Sequence, residues 1–243
     1  MLALFVFTKV KLPYFSVKTI LMYISKSLIS LTLLILVSIA GKSQSSTINT
    51  SAANKNKVHP LFSYSEKWND EKYAECNNAK NIAYLTKDEK EVIWILNLIR
   101  SNPKLAAESI LMNPSSAFYV QPSKRNHYFK SLLSTLNNMT PNTKPLFADS
   151  SAYVSALCHA LTSGKTGYVG HERKRNDCKK DFYGECCDYG NDDPMEIVMS
   201  LLLDYDVPSL GHRKICLSSE YTHIGVSIQP HKTYDYNAVL DFK

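Results

Sequence analysis

Two histidines and a glutamate in the second half of the chain could form a polar site. His171, Glu185 and His212 are each preceded by a glycine, a residue that lets backbone segments approach closely. Two neutral imidazoles can hold a divalent ion, and a carboxylate can act as a general base on metal-bound water or orient an imidazole. We therefore expect His171, Glu185 and His212 to converge in one polar cleft, where the two histidines could hold an ion and Glu185 could be a catalytic base or an orienting group. A hydrogen-bonded polar cluster without an ion is the alternative.

Protonation should oppose metal binding at such a site. Only the neutral imidazole offers a lone pair to a metal, so ion binding by His171 and His212 is expected to weaken as the pH falls through about 6.5.

Other familiar catalytic motifs are missing from the sequence. There is no Gly-rich phosphate loop and no Gly-x-Ser-x-Gly elbow, and "HERKR" at His171 lacks the second histidine of a His-Glu-x-x-His motif. Cys158 is disfavoured as a nucleophile by its five companion cysteines. His159 is interpreted as a core histidine, and His223 and His231 have no evident partner.

An apolar segment near the N-terminus predicts export. Ser27–Ala40, "SLISLTLLILVSIA", follows Lys26 and ends in small residues, which is typical of a cleaved signal peptide and short for a membrane span. We assign residues 1–40 as a signal peptide, with Met22 as an alternative start and an uncleaved anchor as the alternative interpretation. The predicted location is secreted, extracellular or periplasmic, with no stable membrane anchor after cleavage.

The charge of the exported part argues against nucleic-acid binding. The chain has 28 Lys and Arg against 22 Asp and Glu, and residues 1–40 contain four lysines and no acid. The remaining 24 basic residues leave a net charge of about +2, which gives no electrostatic reason to expect a nucleic-acid partner. The basic cluster at residues 171–180 is interpreted as a solvated loop.

Six cysteines in an exported chain favour disulfides over metal thiolates. No Cys-x-x-Cys pair occurs. Adjacent Cys186 and Cys187 are expected to have different partners, because a bridge between neighbours strains the backbone, and Cys178 and Cys216 are the plausible ones.

Capping signals and apolar spacing predict helices first and strands last. Thr86 and Glu89 have the spacing of a capping box before an apolar helical face. A short helix is expected over 104–112 and a weaker one over 123–138. Asp149 should cap a helix that Gly164 stops, and Pro194 should open a helix that runs to about Tyr205.

The C-terminal segment changes to an alternating pattern, which predicts an antiparallel hairpin. Helices followed by strands indicate an α+β fold with helices on an antiparallel sheet. Residues 41–57 are polar and of low complexity, which predicts a flexible leader. We expect an irregular arm over 58–85 and a single domain over 86–243.

The order of these motifs resembles the CAP superfamily, the cysteine-rich secretory, antigen 5 and pathogenesis-related proteins with an SCP-like domain. The resemblance rests on "LNLIRSNP" from Leu96, then Gly-His, Gly-Glu and Gly-His-Arg, then the "IGVSI" strand from Ile224. It covers roughly residues 90–242 and is closer to the bacterial-type Gly-His-Arg branch.

The resemblance implies a three-layer α-β-α sandwich with a central antiparallel sheet, braced by disulfides. It also implies a cleft that can hold a divalent ion such as zinc through His171 and His212. Glu185 is similar to the family's Gly-Glu-Asn acid, and Asp204 is the nearest candidate for the second acid. Arg213 is expected to anchor a buried carboxylate or carbonyl at this cleft. The sequence departs from the family pattern at Cys186, at Ile215 and at the residue before Asp204, which is not Trp.

Three functions are compatible with these expectations. The preferred one is non-enzymatic binding of a lipid, a small hydrophobic molecule or an extracellular protein, because the resemblance implies ligand or partner binding. No acid, base and nucleophile set can be named, which argues against an enzyme. The alternative is a metal-dependent hydrolase of the peptidase type that uses the same cleft. The third is an extracellular interaction module that contacts its partner through residues 59–83.

Overall fold

A computed structural model describes residues 59–142, 144–173 and 178–243 of the chain. The predicted signal peptide over 1–40 and the predicted leader over 41–57 lie outside the described residues. In the part of the chain that is described, no helix combines the length and the apolar character needed to cross a membrane.

The described residues form helices and strands that alternate along the chain. The α-helices are α1 (Lys87–Ser101), α2 (Pro103–Ala106), α3 (His127–Asn138), α4 (Ser150–Thr166), α5 (Pro194–Leu203) and α6 (Gly211–Leu217). The strands are β1 (Phe147–Ala148), β2 (Gly184–Tyr189), β3 (His223–His231) and β4 (Asp235–Phe242). Short 3-10 helices occur at Glu66–Asn69, Glu71–Asn77 and Pro122–Lys124, and a π-helical turn follows α2 at Ala107–Leu111.

Helices α1, α4 and α5 begin at residues whose side chains cap them, as the sequence predicts. The Thr86 hydroxyl accepts from the Glu89 backbone at 3.2 Å, and the Glu89 carboxylate accepts from the Thr86 backbone at 2.7 Å. This reciprocal pair satisfies two amides that helix geometry leaves without partners. The side chains of Asp149 and Asp193 cap α4 and α5 by accepting from backbone amides of the first turn, without a reciprocal bond. The capping predictions are confirmed.

One local prediction was wrong. Helix α4 does not stop at Gly164 but continues to Thr166, and Gly167 after it adopts the left-handed conformation with φ of 75°. Gly164 instead allows close packing, because an added Cβ would lie 2.1 Å from the Pro230 carbonyl oxygen. The Gly-His-Arg segment forms the first turn of α6.

The sheet has the order β1-β3-β4-β2. Strands β3 and β4 form the predicted hairpin, and β2 pairs antiparallel with β4 at the opposite edge from β1. The α+β class is confirmed, but the sheet is mixed rather than wholly antiparallel. The exception is β1, which pairs parallel with β3. Asp149, directly after β1, continues this pairing by donating its N–H to the Ile224 carbonyl at 2.9 Å.

Helices lie against both faces of the sheet. Val239 of β4 and Cys187 of β2 pack with Ala156 and Ala160 of α4 on one face. The neighbouring residues of the same strands point the other way, into the main core that α1, α3 and α5 line. This two-sided burial follows from the alternation of side chains along a strand.

The segment before α1 contributes to the core. Leu61, Trp68 and Tyr73 are buried in the main cluster, and the Trp68 indole donates to the Ser109 hydroxyl at 3.1 Å. Removing residues 59–85 would therefore expose core surface as well as remove a candidate contact region.

One disulfide joins Cys158 of α4 to Cys178. The expectation that Cys178 pairs with one of the adjacent cysteines was wrong. Cys178 lies against α4, with its sulfur 3.7 Å from the Thr162 hydroxyl, so Cys158, one helical turn before Thr162, is within its reach. Cys76, Cys186, Cys187 and Cys216 are free thiols.

Candidate functional site

The candidate site straddles the edge strand β2. Glu185 and Cys187 face the side that α4 covers, whereas Cys186 faces α6. A side chain from the segment after α4 and a side chain from α6 can therefore meet beyond this edge. His171 comes from the first of these segments and His212 from the second.

His171 lies in the loop after α4 and is held by Glu185. Its Nδ1 is 2.9 Å from Glu185 Oε1, and its side chain remains 55% exposed while that of Glu185 is 3% exposed. A carboxylate can only accept, so Nδ1 carries the proton and Nε2 of the neutral ring keeps its lone pair. The hydrogen bond to Glu185 raises the pKa of His171, against the smaller lowering effect of burial.

His212 lies in the first turn of α6 and is held by Asp204 in the same manner. Its Nδ1 is 2.8 Å from Asp204 Oδ1, and its side chain is 21% exposed. Asp204 ends α5 in the left-handed conformation with φ of 53°, and its second oxygen accepts from the Arg213 backbone at 3.3 Å. The structure thus places the predicted acid Asp204 directly against His212.

The two imidazole rings lie side by side, with centroids 6.0 Å apart and planes inclined by 39°. A zinc–nitrogen bond of about 2.1 Å puts the centroid of a bound ring roughly 3.2 Å from the metal, so two rings bound at a tetrahedral angle have centroids about 5.2 Å apart, and at most about 6.4 Å. The observed separation of 6.0 Å lies below this upper limit and above the tetrahedral distance, so the rings would have to approach slightly to share a tetrahedral ion. Because each Nδ1 is used by a carboxylate, the Nε2 atoms are the ligands that the pair can offer.

Arg213 lies behind His212 rather than in the cleft. Its buried guanidinium donates to the carbonyls of Leu202, Leu203 and Tyr128 at 2.6, 3.0 and 3.2 Å, and to the Ser131 hydroxyl at 2.8 Å. These contacts join α3, α5 and α6. Arg213 therefore binds backbone carbonyls, and through them it positions the turn that carries Asp204 and His212.

The glycines before the site residues do not all serve the same purpose. Gly170 has φ of 134°, and an added Cβ at Gly184 would lie 2.8 Å from the Tyr221 hydroxyl. An added Cβ at Gly211 would meet only the Ser209 hydroxyl, at 3.4 Å. The idea that Gly211 is needed for close approach was wrong, because an added Cβ there would make only an ordinary van der Waals contact.

Two further charged residues support Glu185, and sequence reasoning missed both. Arg173 forms an ion pair with Glu185 Oε2 at 2.5 Å and donates a hydrogen bond to Asp241 Oδ2 at 3.1 Å. Asp241 lies opposite Glu185 in the β2–β4 register. The basic cluster was expected to be solvated, but the Arg173 side chain is only 6% exposed. The sequence could have indicated that Asp241 is buried, because the alternating pattern of "YNAVLDF" puts it on an inward-facing position of its strand.

A second group of possible ligands lies beneath His171. His159, Glu185 and Cys187 are buried, with ligand atoms within 4.8 Å of one another, so this group could hold a metal ion. Its members already have other partners: His159 Nε2 contacts the Gly170 carbonyl at 2.9 Å, and Glu185 holds His171. Burial, reinforced by Glu185 and Asp241, raises the pKa of the Cys187 thiol well above its usual range. Side chains two residues apart in a strand lie on the same face, so the sequence alone could have placed Cys187 beside Glu185 on β2.

The Asp241 carboxyl should make stability depend on pH. Burial, together with the Glu185 carboxylate, raises its pKa to about 8, against about 3.9 in an unfolded chain. Between these values the folded state holds a proton that the unfolded state lacks, so the free energy of unfolding falls as the pH rises from 4 to 8. Asp241→Asn should remove this fall and gain at least about 1.4 kcal/mol on wild type between pH 5 and pH 8.

Urea unfolding of both proteins across that pH range measures the effect. The exposed Asp192→Asn variant is the control and should follow wild type. A difference between wild type and Asp241→Asn that does not change with pH would contradict the prediction.

A surface cavity of about 740 Å³ lies elsewhere on the domain. It is lined by the segment before α1 and by α2 with the turn after it, including Phe62, Tyr73, Leu105 and the charged Lys72 and Glu108. None of its lining residues belongs to the histidine cleft, so the cavity and the cleft are separate features.

Comparison of the chain with models of known protein families, with curated proteins and with solved structures gives no match. The geometry of the site, together with the order of its motifs, therefore carries the functional argument.

Proposed function

We propose that the chain is a secreted, CAP-type α-β-α domain that binds a divalent ion such as zinc in the cleft of His171 and His212 and acts as a binding protein. The motif order supports this assignment, as do the helices on both faces of the sheet and the disulfide. Glu185 and Asp204 complete the polar cleft by orienting the two histidines.

One observation carries the proposal. The two imidazoles reach the same edge of the sheet from opposite faces, and each is fixed at Nδ1 by a buried carboxylate. This arrangement fixes the tautomer and the direction of both rings, which is the usual support for metal-binding histidines. A polar cluster without an ion would not need both rings to be held with the same nitrogen free.

Binding is favoured over hydrolysis by the environment of Glu185. A metal in this cleft would supply Lewis acidity and a more acidic bound water. A general base must, however, present a free oxygen to that water. The oxygens of Glu185 are engaged by His171 and Arg173, and its side chain is almost wholly buried. Its position supports the role of a carboxylate that orients His171.

The partner of this binding protein is proposed to be a lipid or small hydrophobic molecule, or an extracellular protein. The cavity of about 740 Å³ is lined mostly by charged and amide side chains around Phe62, Tyr73 and Leu105, so a molecule bound there would need polar groups as well as an apolar part. Because this cavity is separate from the cleft, binding of an amphipathic probe there should not depend on His171.

Zinc binding tests the cleft directly. The protein should bind one zinc ion at pH 7.5, and His171→Ala or His212→Ala should weaken binding by at least about 100-fold, since each removes a ligand. Asp204→Asn should cost about 10- to 100-fold, because it removes a group that orients a ligand. Isothermal titration calorimetry and metal analysis measure both effects.

His223→Ala is the control, since His223 is exposed on β3 and its ring contacts Phe147 and Thr222. It should bind zinc as wild type does. Stoichiometric zinc that survives both cleft substitutions would refute the assignment. Metal-dependent peptide hydrolysis that is lost in Glu185→Gln, with zinc still bound, would favour the hydrolase alternative.

A further inference from the structure

We propose that Cys186 and Cys216 are a covalent modification site that forms a second disulfide, linking edge strand β2 to helix α6. Their sulfur atoms are 3.9 Å apart, and both residues are wholly buried. The Cys186 sulfur also lies 3.7 Å from the backbone carbonyl of His212. The link would therefore form beside the histidine cleft.

The pleat of β2 decides which of the two adjacent cysteines can form this bond. Cys186 points to α6, whereas Cys187 points to the opposite face and packs with α4. Successive side chains of a strand leave on opposite faces, so only one of them can reach Cys216.

The remaining cysteines do not compete for Cys216. Cys158 is already bonded to Cys178. The Cys76 sulfur contacts the Ser101 hydroxyl at 3.7 Å, and the Cys187 sulfur lies 3.8 Å from His171 Nδ1. Two disulfides and two thiols are the expected composition of the oxidised chain.

A small movement is enough to form the bond. A disulfide has a sulfur–sulfur distance of about 2.05 Å, so the two atoms must approach by roughly 1.9 Å. Rotation of the two side chains about their Cα–Cβ bonds can supply most of this movement. Since both groups are buried in the folded protein, the bond should form during folding and then be protected from reductants.

The reaction is thiol–disulfide exchange with a low-molecular-weight disulfide such as oxidised glutathione. One cysteine thiolate attacks a glutathione sulfur, which gives a mixed disulfide and releases one glutathione thiolate. The second cysteine thiolate then attacks the protein sulfur of that mixed disulfide and displaces the other glutathione. In total, two protein thiols and one oxidised glutathione give one protein disulfide and two reduced glutathiones.

The position of the link gives it a consequence for the cleft, and this step rests on the proposed function. Cys186 directly follows Glu185, which holds His171. Cys216 lies four residues after His212 in α6, and so on the same side of that helix. The bond would fix the distance between the two supports of the ion site.

Disulfide mapping tests the link independently of any ion. The denatured chain is refolded in a glutathione redox buffer, trapped with an alkylating reagent after a second denaturation, and digested without reduction. The expected result is one peptide pair joining Cys186 to Cys216, with Cys76 and Cys187 alkylated. Alkylation of both Cys186 and Cys216, or a bond from Cys186 to another cysteine, would overturn the proposal.

Zinc titration tests the coupling. The double variant Cys186→Ala/Cys216→Ala should bind zinc about fivefold or more weakly than the oxidised wild type, while Cys76→Ala, checked for folding by circular dichroism, should bind as wild type does. Equal affinity in the double variant and wild type would overturn the coupling. Absence of zinc binding by the oxidised wild type would instead refute the ion site, while the mapped bond would stand.

Discussion

Gly225→Ala should prevent the domain from folding. Gly225 lies in β3 directly beneath α4, and an added Cβ would be 2.1 Å from the Tyr153 nitrogen and 2.2 Å from the Ala152 carbonyl carbon. These are backbone atoms of a helix, so they cannot rotate away as a side chain would. Helix α4 would have to move off the sheet, and the expected loss exceeds about 4 kcal/mol of the free energy of unfolding.

Gly211→Ala is the matched control for this prediction. An added Cβ there would contact only the Ser209 hydroxyl, at 3.4 Å, and Gly211 is the first residue of a helix, so a loss of less than about 1 kcal/mol is expected. Circular dichroism and urea unfolding measure both variants. A folded Gly225→Ala protein as stable as Gly211→Ala would show that α4 does not pack on the sheet as described.

The local elements were predictable because their signals lie within a few residues of one another. The capping box at Thr86, the caps at Asp149 and Asp193, and the alternation of the last strands each specify their own segment. No distant contact overrides these signals. The α+β class follows from their order along the chain.

Gly164 was misjudged and α6 was not predicted, because distant contacts decide both. A glycine at the end of an apolar helical stripe predicts a helix stop, but Gly164 lies inside α4, where the Pro230 carbonyl leaves no room for a Cβ. The segment after Gly211 is short and has no side-chain cap. It is helical because Arg213 fastens it to α3 and α5.

The site was only partly predictable for a related reason. Spacing after glycine, and the family resemblance, selected His171, Glu185 and His212, but neither could show that Glu185 has Asp241 opposite it in the sheet. Register between β2 and β4 sets that neighbour, and register is a tertiary property. The buried pair of carboxyls next to Arg173 therefore became visible only in the folded chain.

Arg213→Ala should lower the free energy of unfolding by about 3–5 kcal/mol, because it leaves several buried carbonyls without a donor. The guanidinium of Arg213 is buried and bonds the carbonyls of Leu202, Leu203 and Tyr128. Arg213→Lys keeps the charge but replaces a planar group of five donors by a single ammonium, so it should recover less than half of the loss. Lys214→Ala, one residue further along α6 and exposed, should cost less than about 0.5 kcal/mol.

The same substitution should also weaken the proposed ion site, and this effect separates positioning from general stability. Leu202 and Leu203 directly precede Asp204, the residue that holds His212. When their carbonyls lose the guanidinium, the turn at Asp204 gains freedom and His212 loses its fixed direction. In Arg213→Lys under conditions where the protein is fully folded, zinc affinity should fall by about 10-fold or more, while Lys214→Ala keeps wild-type affinity. Unchanged zinc affinity in folded Arg213→Lys would show that Asp204 positions His212 without help from the arginine behind it.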